Sequence, residues 1–576
     1  MSEPVCLIKI ELPRCTRTHG SAPCTATETG DAKCYNTFSS CNDQENFDKG
    51  TFDVWFSRGN LADSTITDAP SYILPFVASV SSTGGTINFA GSKDTEIGLG
   101  YVSTLTVQFK DGPHSDQLMD PYRDDRTVDP RTKSTFWRKF KARNVYLTKA
   151  KVTRYEGYKD DALADMRATT YYATDLTVTR QGATLTAKDP FTFLDFKSSD
   201  VPAKSTGILY QDITDEQLDL PIIGAGVEDY PAPGMVRIGD ELISYESVHE
   251  ESYGIRIRAT ERGHRDTEQD DHSNDTEVQI CFVLENRSVD EAFGDILAET
   301  DFPDAVYDAT QAASVAGTWR RPWTGALSRV VSEPTPAREL LGQLVRHTLT
   351  HIDYDELTGK TKLLPVRGYD SNSLVLDDDK DIVAGSFKVS DMPLQRISRA
   401  ILHYNLVSPV ADPDEELSYR TVVEVNGRGG DDNRDGVDIS RKLYSPWLTS
   451  DILAFSTCSR LHTLCEITPI KCSFQLHPSR SSVKRGDIVR KADDTVVTGG
   501  GDPITKAWFI TKAHQPSPGG LIDCEAWDVS PLGRVGYFQA ADTPAYVGDG
   551  SDDPDGFFIG DSKGLLPDGS EAPRLQ

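Results

Sequence analysis

The stretch YVSTLTVQFK (101–110) decides the fold class, because apolar and polar residues alternate along it. Leu105, Val107 and Phe109 lie two residues apart, which is the period of a strand with one buried face. A short helix is predicted soon afterwards by TKSTFWRKFKARN (132–144). Further strand-like segments follow: AKVTRYEGY (150–158), TDLTVTRQGATLTAKD (174–189), GMVRIGDELISYESV (234–248) and YGIRIRATERG (253–263). The sequence therefore predicts a mainly β fold with smaller α/β parts.

The composition limits what the chain can do. It has 576 residues, of which 38% are hydrophobic, and a formal net charge of −29. This length predicts several domains, and this polarity predicts very hydrophilic surfaces. A chain this acidic repels nucleic acid at long range, so we expect no specific binding of DNA. No apolar run is long enough to cross a bilayer, so no membrane span is expected.

Composition and periodicity divide the chain into six predicted zones. They are a four-cysteine segment (1–50), a first β domain (51–205), a small inserted β domain (206–285), an α/β domain (286–367), a second β domain (368–540) and an acidic Gly/Pro-rich tail (541–576). The first zone is poor in apolar periodicity, and small segments of that kind usually need a metal or a crosslink to fold. The last zone has few large apolar residues and is expected to be flexible.

Local signals place helices and a hairpin in the second half of the chain. Ser288 and Glu291 have the spacing of a capping box, which predicts a helix start. Pro336 is typical of the first turn of a further helix, where its missing N–H costs nothing. The segment 351–366 predicts a hairpin with its turn at Thr358-Gly359, and a last helix is predicted around Asp451–Leu464.

Cys15, Cys24, Cys34 and Cys41 form the main candidate site, with the spacing C-x8-C-x9-C-x6-C. Residues 1–12 lack the basic and apolar stretches of a secretory signal, so we expect folding in a reducing cytoplasm, where clustered cysteines favour metal binding over disulfides. Four thiolates are the ligand set of iron–sulfur clusters and of structural zinc sites. Zinc sites usually contain a closely spaced cysteine pair, which is absent here. The spacing favours a cluster and leaves zinc, disulfides and free thiols open.

The other candidate residues favour structural interpretations. Cysteines of the remaining chain are expected to be small buried core residues: Cys281, Cys458, Cys465, Cys472 and Cys524. The segment 431–436 matches half of a calcium loop, but Lys442 stands where the final acidic ligand belongs, so an acidic turn is favoured. His264 and His272 flank an acidic loop that we interpret as solvated, and His114 is interpreted as a turn residue. No catalytic motif is present, and we expect no enzymatic activity.

Several longer blocks occur in a fixed order along the chain. They are RCTRTHGSAPCTATETGDAKCYNTFSSCNDQENF (14–47), LTVQFKDGPHSDQLMDPYRDDRTVDPRTKSTFWRKFKARN (105–144), LTAKDP (185–190), VRIGDELISYESV (236–248), RATERGHRDTEQDDHSNDTEVQ (258–279) and SEPTPARELLGQLVRHTLTHIDYDELTGKTKLLPVR (332–367). This series resembles the baseplate hub (tail tip) proteins of siphophages and of gene-transfer-agent-like tails. A series of blocks in one order is more specific than any single motif.

The resemblance implies a fold and a function. It implies two tail-tube-like β-barrel hub domains, at 51–205 and 368–540, separated by smaller inserted domains. Three copies would form a ring whose upper face fits a hexameric tail tube. The homotrimer would join the tube to the central fibre and frame the DNA exit channel. Its expected partners are a distal tail protein, a central fibre or tip protein and the tape-measure protein, in a virion tail assembled in the host cytoplasm.

The resemblance also bears on the cysteines. Lambda-type tail-tip proteins are similar in carrying a four-cysteine [4Fe–4S] site, which implies that Cys15, Cys24, Cys34 and Cys41 are cluster ligands. In those proteins the site lies toward the end of the chain, whereas here it lies near the start. Two other functions compete with the hub. One is a tail protein that binds host carbohydrate or receptor, for which the inserted domain offers Tyr245 and Tyr253. The other is an iron–sulfur electron-transfer protein.

Overall fold

The computed structural model describes residues 3–59, 61, 66, 68, 70–90, 99–319, 327–370, 373–426, 439–517, 519–533, 536–537 and 574–575. Most of its regular structure is β, arranged in several sheets, with a few helices between them. The prediction of a mainly β, multidomain chain is confirmed. The calcium-like segment 431–436 and nearly all of the tail 541–576 lie outside the described residues.

The first sheet contains seven strands and begins with the N-terminal one. These are β1 (Pro4–Cys15), β2 (Lys49–Ser57), β3 (Val77–Thr83), β4 (Thr104–Lys110), β5 (Lys151–Tyr158), β6 (Arg167–Val178) and β7 (Gly182–Lys188). Their order is β2-β1-β5-β6-β7-β4-β3, and all neighbours are antiparallel. β1 lies before the predicted boundary at residue 50, so the four-cysteine segment connects two adjacent strands of this sheet.

One segment links the two edges of this sheet, which we call the first barrel. Leu74 bonds to β2, with its N–H donating to the Trp55 carbonyl at 2.9 Å, and the chain then continues as β3, which pairs with β4 at the other edge. Helix α1 (Phe136–Arg143) was predicted from the sequence and packs on the barrel core. Its Trp137 is fully buried, and its ring lies 4.3 Å from that of Phe109. Trp137 is therefore a core residue.

The inserted domain is a six-stranded sheet with its own core. Its strands are β8 (Ile208–Leu209), β9 (Asp219–Ile223), β10 (Gly234–Ile238), β11 (Glu241–Glu251), β12 (Gly254–Glu261) and β13 (Gln279–Ile280), in the order β8-β9-β12-β11-β10-β13. The alternating apolar residues predicted for β10 to β12 face that core, as Val236, Ile243 and Ile257 do, and Ile222 of β9 joins them. Tyr245 is buried among them, which removes it from the surface.

Helices and two hairpin-like pairs follow. The elements are β14 (Phe282–Arg287), α2 (Val289–Ala298), α3 (Ala309–Trp319), β15 (Leu327–Val331), α4 (Ala337–Thr348), β16 (Thr350–Asp355) and β17 (Lys360–Pro365). The predicted capping box is confirmed, because the Ser288 N–H donates to Glu291 Oε2 at 2.8 Å. The predicted hairpin is β16–β17, and Gly359 occupies its turn at a φ of 67°, which favours glycine. Helix α3 has no clear amphipathic pattern and was not predicted.

The last region contains a second closed sheet and a three-stranded one. The elements are β18 (Leu374–Val375), β19 (Lys388–Asp391), β20 (Arg399–Leu406), β21 (Tyr419–Asn426), β22 (Ser440–Ser445), α5 (Asp451–Cys465), β23 (Ile470–Leu476), β24 (Ile488–Val497), β25 (Pro503–His514) and β26 (Ile522–Asp528). The orders are β18-β24-β25-β26-β23-β19 and β21-β20-β22. The segment from β18 to β19 pairs with β24 at one edge and with β23 at the other, so it links the two edges of this sheet, the second barrel.

A largely buried polar contact links the second barrel to the β16–β17 hairpin and to the first barrel. Arg485, from the second barrel, forms ion pairs with Asp353 of β16 at 2.8 Å and with Glu356, in the turn that follows β16, at 3.2 Å. Its Nη1 also donates to the carbonyl of Gly85, in the turn after β3 of the first barrel, at 3.3 Å. A Cβ on the adjacent Gly84 would lie 2.6 Å from the Cβ of His514, so the close approach of the barrels needs glycine there.

None of the helices in the described part of the chain is both long and apolar enough to span a bilayer.

Candidate functional site

The four cysteines lie in the connection between β1 and β2. Cys15 ends β1 and pairs with Lys49 at the start of β2, so both ends of the connection are fixed by the sheet. The Cys15 N–H donates to the Asn36 carbonyl at 2.7 Å, which folds the middle of the connection back onto its base. Asn36 adopts a φ of 56°, a left-handed conformation that asparagine tolerates better than most residues. The connection is therefore compact despite its polar sequence.

The thiols of all four cysteines lie close enough to interact electrostatically. Burial raises the pKa of the Cys34 thiol, and Cys41, Cys24 and Cys15 raise it further. Burial likewise raises the pKa of Cys41, again with a contribution from Cys15 and Cys24. The four cysteines are all unpaired thiols. The structure thus brings together the set of residues that the sequence singled out.

In the described residues, no group of three or more His, Cys, Asp or Glu side chains is placed to hold a metal ion, the four cysteines included. What the structure shows of these cysteines is their mutual electrostatic contact.

Groups around the thiols are suited to an anionic cluster. The Asp43 N–H donates to Cys41 Sγ at 3.4 Å, and such bonds to sulfur tune clusters in proteins. The guanidinium of Arg14 lies close enough to Cys34 to interact electrostatically, and its Nη2 donates to the Met119 carbonyl at 2.7 Å. Four thiolates carry more negative charge than a cluster core neutralises, so a fixed cation nearby stabilises the assembly.

Arg126 holds the connection against the barrel. Its Nη1 donates to the carbonyls of Gly30 at 3.0 Å and Lys33 at 2.8 Å, and its Nη2 donates to the carbonyl of Cys34 at 3.0 Å. The same guanidinium pairs with the buried carboxylate of Asp120, with its Nε 2.9 Å from Oδ2. A planar group with five donors can fix several carbonyls at once, which a lysine cannot. Arg126 therefore positions the backbone around Cys34.

A second cation contact supports the residue next to Cys34. The ring of Tyr35 lies 4.3 Å from the Arg126 guanidinium and 3.9 Å from that of Arg143. Arg143 is held by Asp116, whose Oδ2 lies 2.6 Å from Nη2. Burial raises the pKa of Asp116, but hydrogen bonds from His114 and Lys139 outweigh burial and hold it well below its usual range. The connection thus packs through polar contacts where most domains use apolar ones.

The other cysteines behave as predicted. Those of the later chain are buried in core positions and lie apart from the four-cysteine set: Cys281, Cys458, Cys465, Cys472 and Cys524. Burial raises the pKa of Cys281 to about 12 and that of Cys465 to about 11, which keeps these thiols protonated. His114 lies in a turn, where its Nδ1 accepts from the Asp116 N–H at 3.0 Å and its Nε2 is 3.0 Å from the Tyr72 hydroxyl.

His272 belongs to a buried ion-pair group in the inserted domain, which the expectation of a solvated loop missed. Its Nε2 lies 2.8 Å from Glu241 Oε2, and Arg262 contacts both carboxylate oxygens of Glu241 at 2.7 Å. His264 stays exposed beside Glu261. Many acidic residues lie close to His272 in the sequence. Its actual partner, Glu241, lies on a strand far from it in the sequence, so the sequence alone does not identify the pair. The group ties the loop to β11.

Replacing Glu241 by glutamine is expected to destabilise the inserted domain by about 3 kcal/mol at neutral pH. Burial raises the Glu241 pKa, but hydrogen bonds from His272 and Arg262 outweigh burial and lower it from 4.5 to about 2. The stabilisation is present above the unfolded value and is lost as pH falls from 4.5 toward 2. Urea denaturation at several pH values measures the free energy of unfolding and its dependence on pH. Glu246→Gln, exposed on the same strand, is the control, and equal losses from both variants would contradict the prediction.

Sequence reasoning found the cysteines but missed the residues that support them. Arg126 and Asp120 lie about ninety residues along the chain from the carbonyls that they organise. The signal that existed was a long polar stretch around them, DPYRDDRTVDPRTK (120–133), too hydrophilic to pack by burial. A carbohydrate-binding inserted domain is expected to expose aromatic side chains. Here Tyr210 and Tyr253 offer that surface, and their rings stack on each other with centroids 4.8 Å apart.

Comparisons with known proteins give weak likenesses. No family model matches the chain, and no curated protein matches it. Among solved structures, the 43 kDa tail protein of prophage MuSo2 from Shewanella oneidensis is 9% identical over 78% of this chain and 94% of its own, with a TM-score of 0.35. The tail protein from Neisseria meningitidis MC58 is 8% identical over 79% and 98%, with a TM-score of 0.34. A chain of a native gene transfer agent virion is 12% identical over 64% and 79%, with a TM-score of 0.31. At these values the likeness carries no argument about function.

Proposed function

We propose that this chain is a structural protein of a phage-type virion tail. In this proposal it forms a trimeric baseplate hub at the distal end of a long non-contractile tail. The ring joins the tail tube to the central fibre or receptor-binding apparatus and frames the channel through which DNA leaves. The order of the sequence blocks supports this family of functions. The observation that carries the proposal is that each chain contains two large β-sheets, of seven and six strands, in each of which one segment of chain contacts both edges.

The paired barrels suit a symmetry adaptor. Three chains with two barrels each present six barrels, and a hexameric tube can contact six similar surfaces. Such a match requires that the two barrels of one chain keep their relative position. The contact of Arg485 with the Gly85 carbonyl, together with its ion pairs to Asp353 and Glu356 of the intervening hairpin, supports that rigidity, because the ion pairs are close and largely buried. A distal tail protein, a central fibre and a tape-measure protein are the partners that such a ring would take.

We further propose that Cys15, Cys24, Cys34 and Cys41 hold a [4Fe–4S] cluster. Its metal–ligand bonds would supply folding free energy to a connection that has little apolar surface to bury. The thiols lie within electrostatic range of one another, and Arg126 and Asp43 support the backbone around Cys34 and Cys41. The role of the cluster in this proposal is structural. It holds the β1–β2 connection in the conformation that docks on the barrel.

Two measurements on the full chain test the proposal. Sedimentation equilibrium is expected to give about three times the 63.4 kDa mass of one chain. Iron and acid-labile sulfide, determined after purification without oxygen, are expected at about four of each per chain for a cubane. A protein that stays monomeric at every concentration contradicts the hub. Zinc, or no metal at all, contradicts the cluster and leaves the hub to be judged on the mass alone.

A further inference from the structure

A groove lies between the four-cysteine connection and α1. It has a volume of about 620 Å³ and is lined by apolar and cationic side chains, among them Tyr35, Val128, Pro130, Lys133, Ala142 and Arg143. The size falls in the range of pockets that accept a compact group such as a side chain with its neighbours. The groove is separate from the thiols, although both depend on the position of residues 34–40.

The rim of this groove is cationic in an otherwise acidic protein. Residues 130–155 contain nine lysines or arginines and no aspartate or glutamate, whereas the whole chain carries a net charge of −29. Three carboxylates also line the groove: Asp116 and Asp120 are paired with Lys139, Arg143 and Arg126, and Asp31 Oδ1 accepts from the Thr127 N–H at 3.0 Å. Lys133, which lines the groove, and the neighbouring Arg131 are exposed and form no ion pair with any described residue. The groove therefore offers positive charge to a partner.

An aromatic edge adjoins the groove. Phe38 is 43% exposed and Tyr146 is 68% exposed, and their rings lie 6.4 Å apart. The Ser39 hydroxyl donates to the Arg143 carbonyl at 2.6 Å, which ties this edge to the end of α1. Exposed aromatic residues beside arginine are typical of protein–protein interfaces. Aromatic and basic side chains also form single-stranded nucleic-acid surfaces, but the net charge of −29 repels nucleic acid and favours a protein partner.

A surface of the opposite character lies in the connection between β20 and β21. Its residues 412–417 read D-P-D-E-E-L, and their acidic side chains are exposed. Leu417 is 91% exposed at the tip. The turn is held in shape, because the Tyr419 hydroxyl donates to the Pro413 carbonyl at 2.6 Å and the Asp414 N–H donates to Asp412 Oδ1 at 2.9 Å. It forms an ordered acidic projection with one apolar side chain.

We propose that this acidic turn of one copy of the chain inserts into the basic groove of the next copy. Leu417 would enter between Tyr35, Val128 and Pro130, while the acidic residues before it face Arg131 and Lys133. The contact is heterologous, since two different surfaces meet, and contacts of that kind close into a ring when the rotation permits. The inference rests on the proposed trimer, and it specifies which surfaces form the ring.

Charge reversal tests this pairing on the full chain. The groove variant is Arg131→Glu with Lys133→Glu, and the turn variant is Asp414→Lys with Glu415→Lys. Each is expected to weaken self-association about 100-fold, because like charges then meet at every interface. A chain with all four substitutions restores opposite charges and is expected to recover the trimer. Lys204→Glu with Glu250→Lys, exposed in the inserted domain, is the control for net effects of charge.

Sedimentation equilibrium and iron content, measured together, separate the possible failures. A trimeric wild type whose groove and turn variants stay trimeric overturns this contact and leaves the hub proposal standing. If the groove variant weakens self-association but the chain with all four substitutions does not recover the trimer, the groove binds another surface or partner. That result also overturns the pairing. A wild type that is monomeric at every concentration overturns both proposals. Unchanged iron in each variant shows that any loss of association is not a loss of the cysteine site.

Discussion

Replacing Arg485 by methionine is expected to lower the free energy of unfolding by about 3–5 kcal/mol. The substitution leaves Asp353 and Glu356 buried without their cation, and the stem of methionine cannot supply one. Burial raises the pKa of Asp353, which Arg485 counteracts, so removing Arg485 leaves a carboxylate that must take up a proton or be desolvated. Urea denaturation followed by tryptophan fluorescence measures the loss, since Trp137 and Trp508 report from the first and second barrel.

The same variant is expected to separate the unfolding of the two barrels. In the wild type Arg485 links the second barrel to the β16–β17 hairpin and to the Gly85 carbonyl of the first barrel, so the transitions of the two barrels should coincide. In the variant the second barrel should unfold at lower urea than the first. The control is Lys512→Met, which removes a more exposed ion pair with Glu525 in the same barrel and should cost less than about 1 kcal/mol. Coincident transitions in the Arg485 variant, at the wild-type midpoint, would contradict a rigid coupling of the barrels.

Replacing Cys34 by serine is expected to abolish cluster binding, with iron falling from about four per chain to near zero. Serine is a poor ligand for iron in such clusters, and Cys34 is the most buried of the four thiols, so solvent cannot readily replace it. The connection should then lose its order, because it has few apolar contacts of its own. Iron analysis, visible absorption and limited proteolysis between β1 and β2 measure the two effects.

Cys6→Ser is the matched control for that experiment. Cys6 lies in β1, and burial raises the pKa of its thiol, but it is not near the four-cysteine set. Its replacement should leave iron, absorption and proteolysis unchanged. Equal iron in the Cys34 and wild-type chains would rule out the assigned ligand set. An intact connection in an iron-free Cys34 variant would instead show that polar contacts such as those of Arg126 suffice to order it.

Local patterns predicted much of the secondary structure. Alternation located β4, β11 and β12, the Ser288–Glu291 capping box located α2, and the turn at Gly359 located the β16–β17 hairpin. These signals depend on a few neighbouring residues, so the sequence states them directly. Helix α3 escaped because its small residues form no distinct apolar face. The cysteine set was also visible, since its residue type is rare and its members are close in sequence.

Long-range arrangements could not be predicted in the same way. The closure of each barrel depends on one segment that pairs with both edges, and strand pairing between distant segments leaves no local pattern. Arg126 and Glu241 likewise act on partners far along the chain, and exposed acidic or basic neighbours hide which of them is buried. The predicted boundary at residue 50 wrongly separates β1 from the first sheet. The sequence misleads here because the polar cysteine connection stands between β1 and β2.

The segments that link the edges of both sheets have a consequence for how copies of the chain associate at high local concentration. An open sheet offers unpaired N–H and C=O groups along its edge strands, and a second copy can add to them without limit. The segments that link the two edges of each barrel occupy some of those groups within one chain, as the Leu74 N–H does at the Trp55 carbonyl. Indefinite growth through barrel edges is thereby discouraged, and side-chain surfaces are left to decide how copies meet. Assembly can then stop at a fixed number of subunits, as a ring must and a fibre does not.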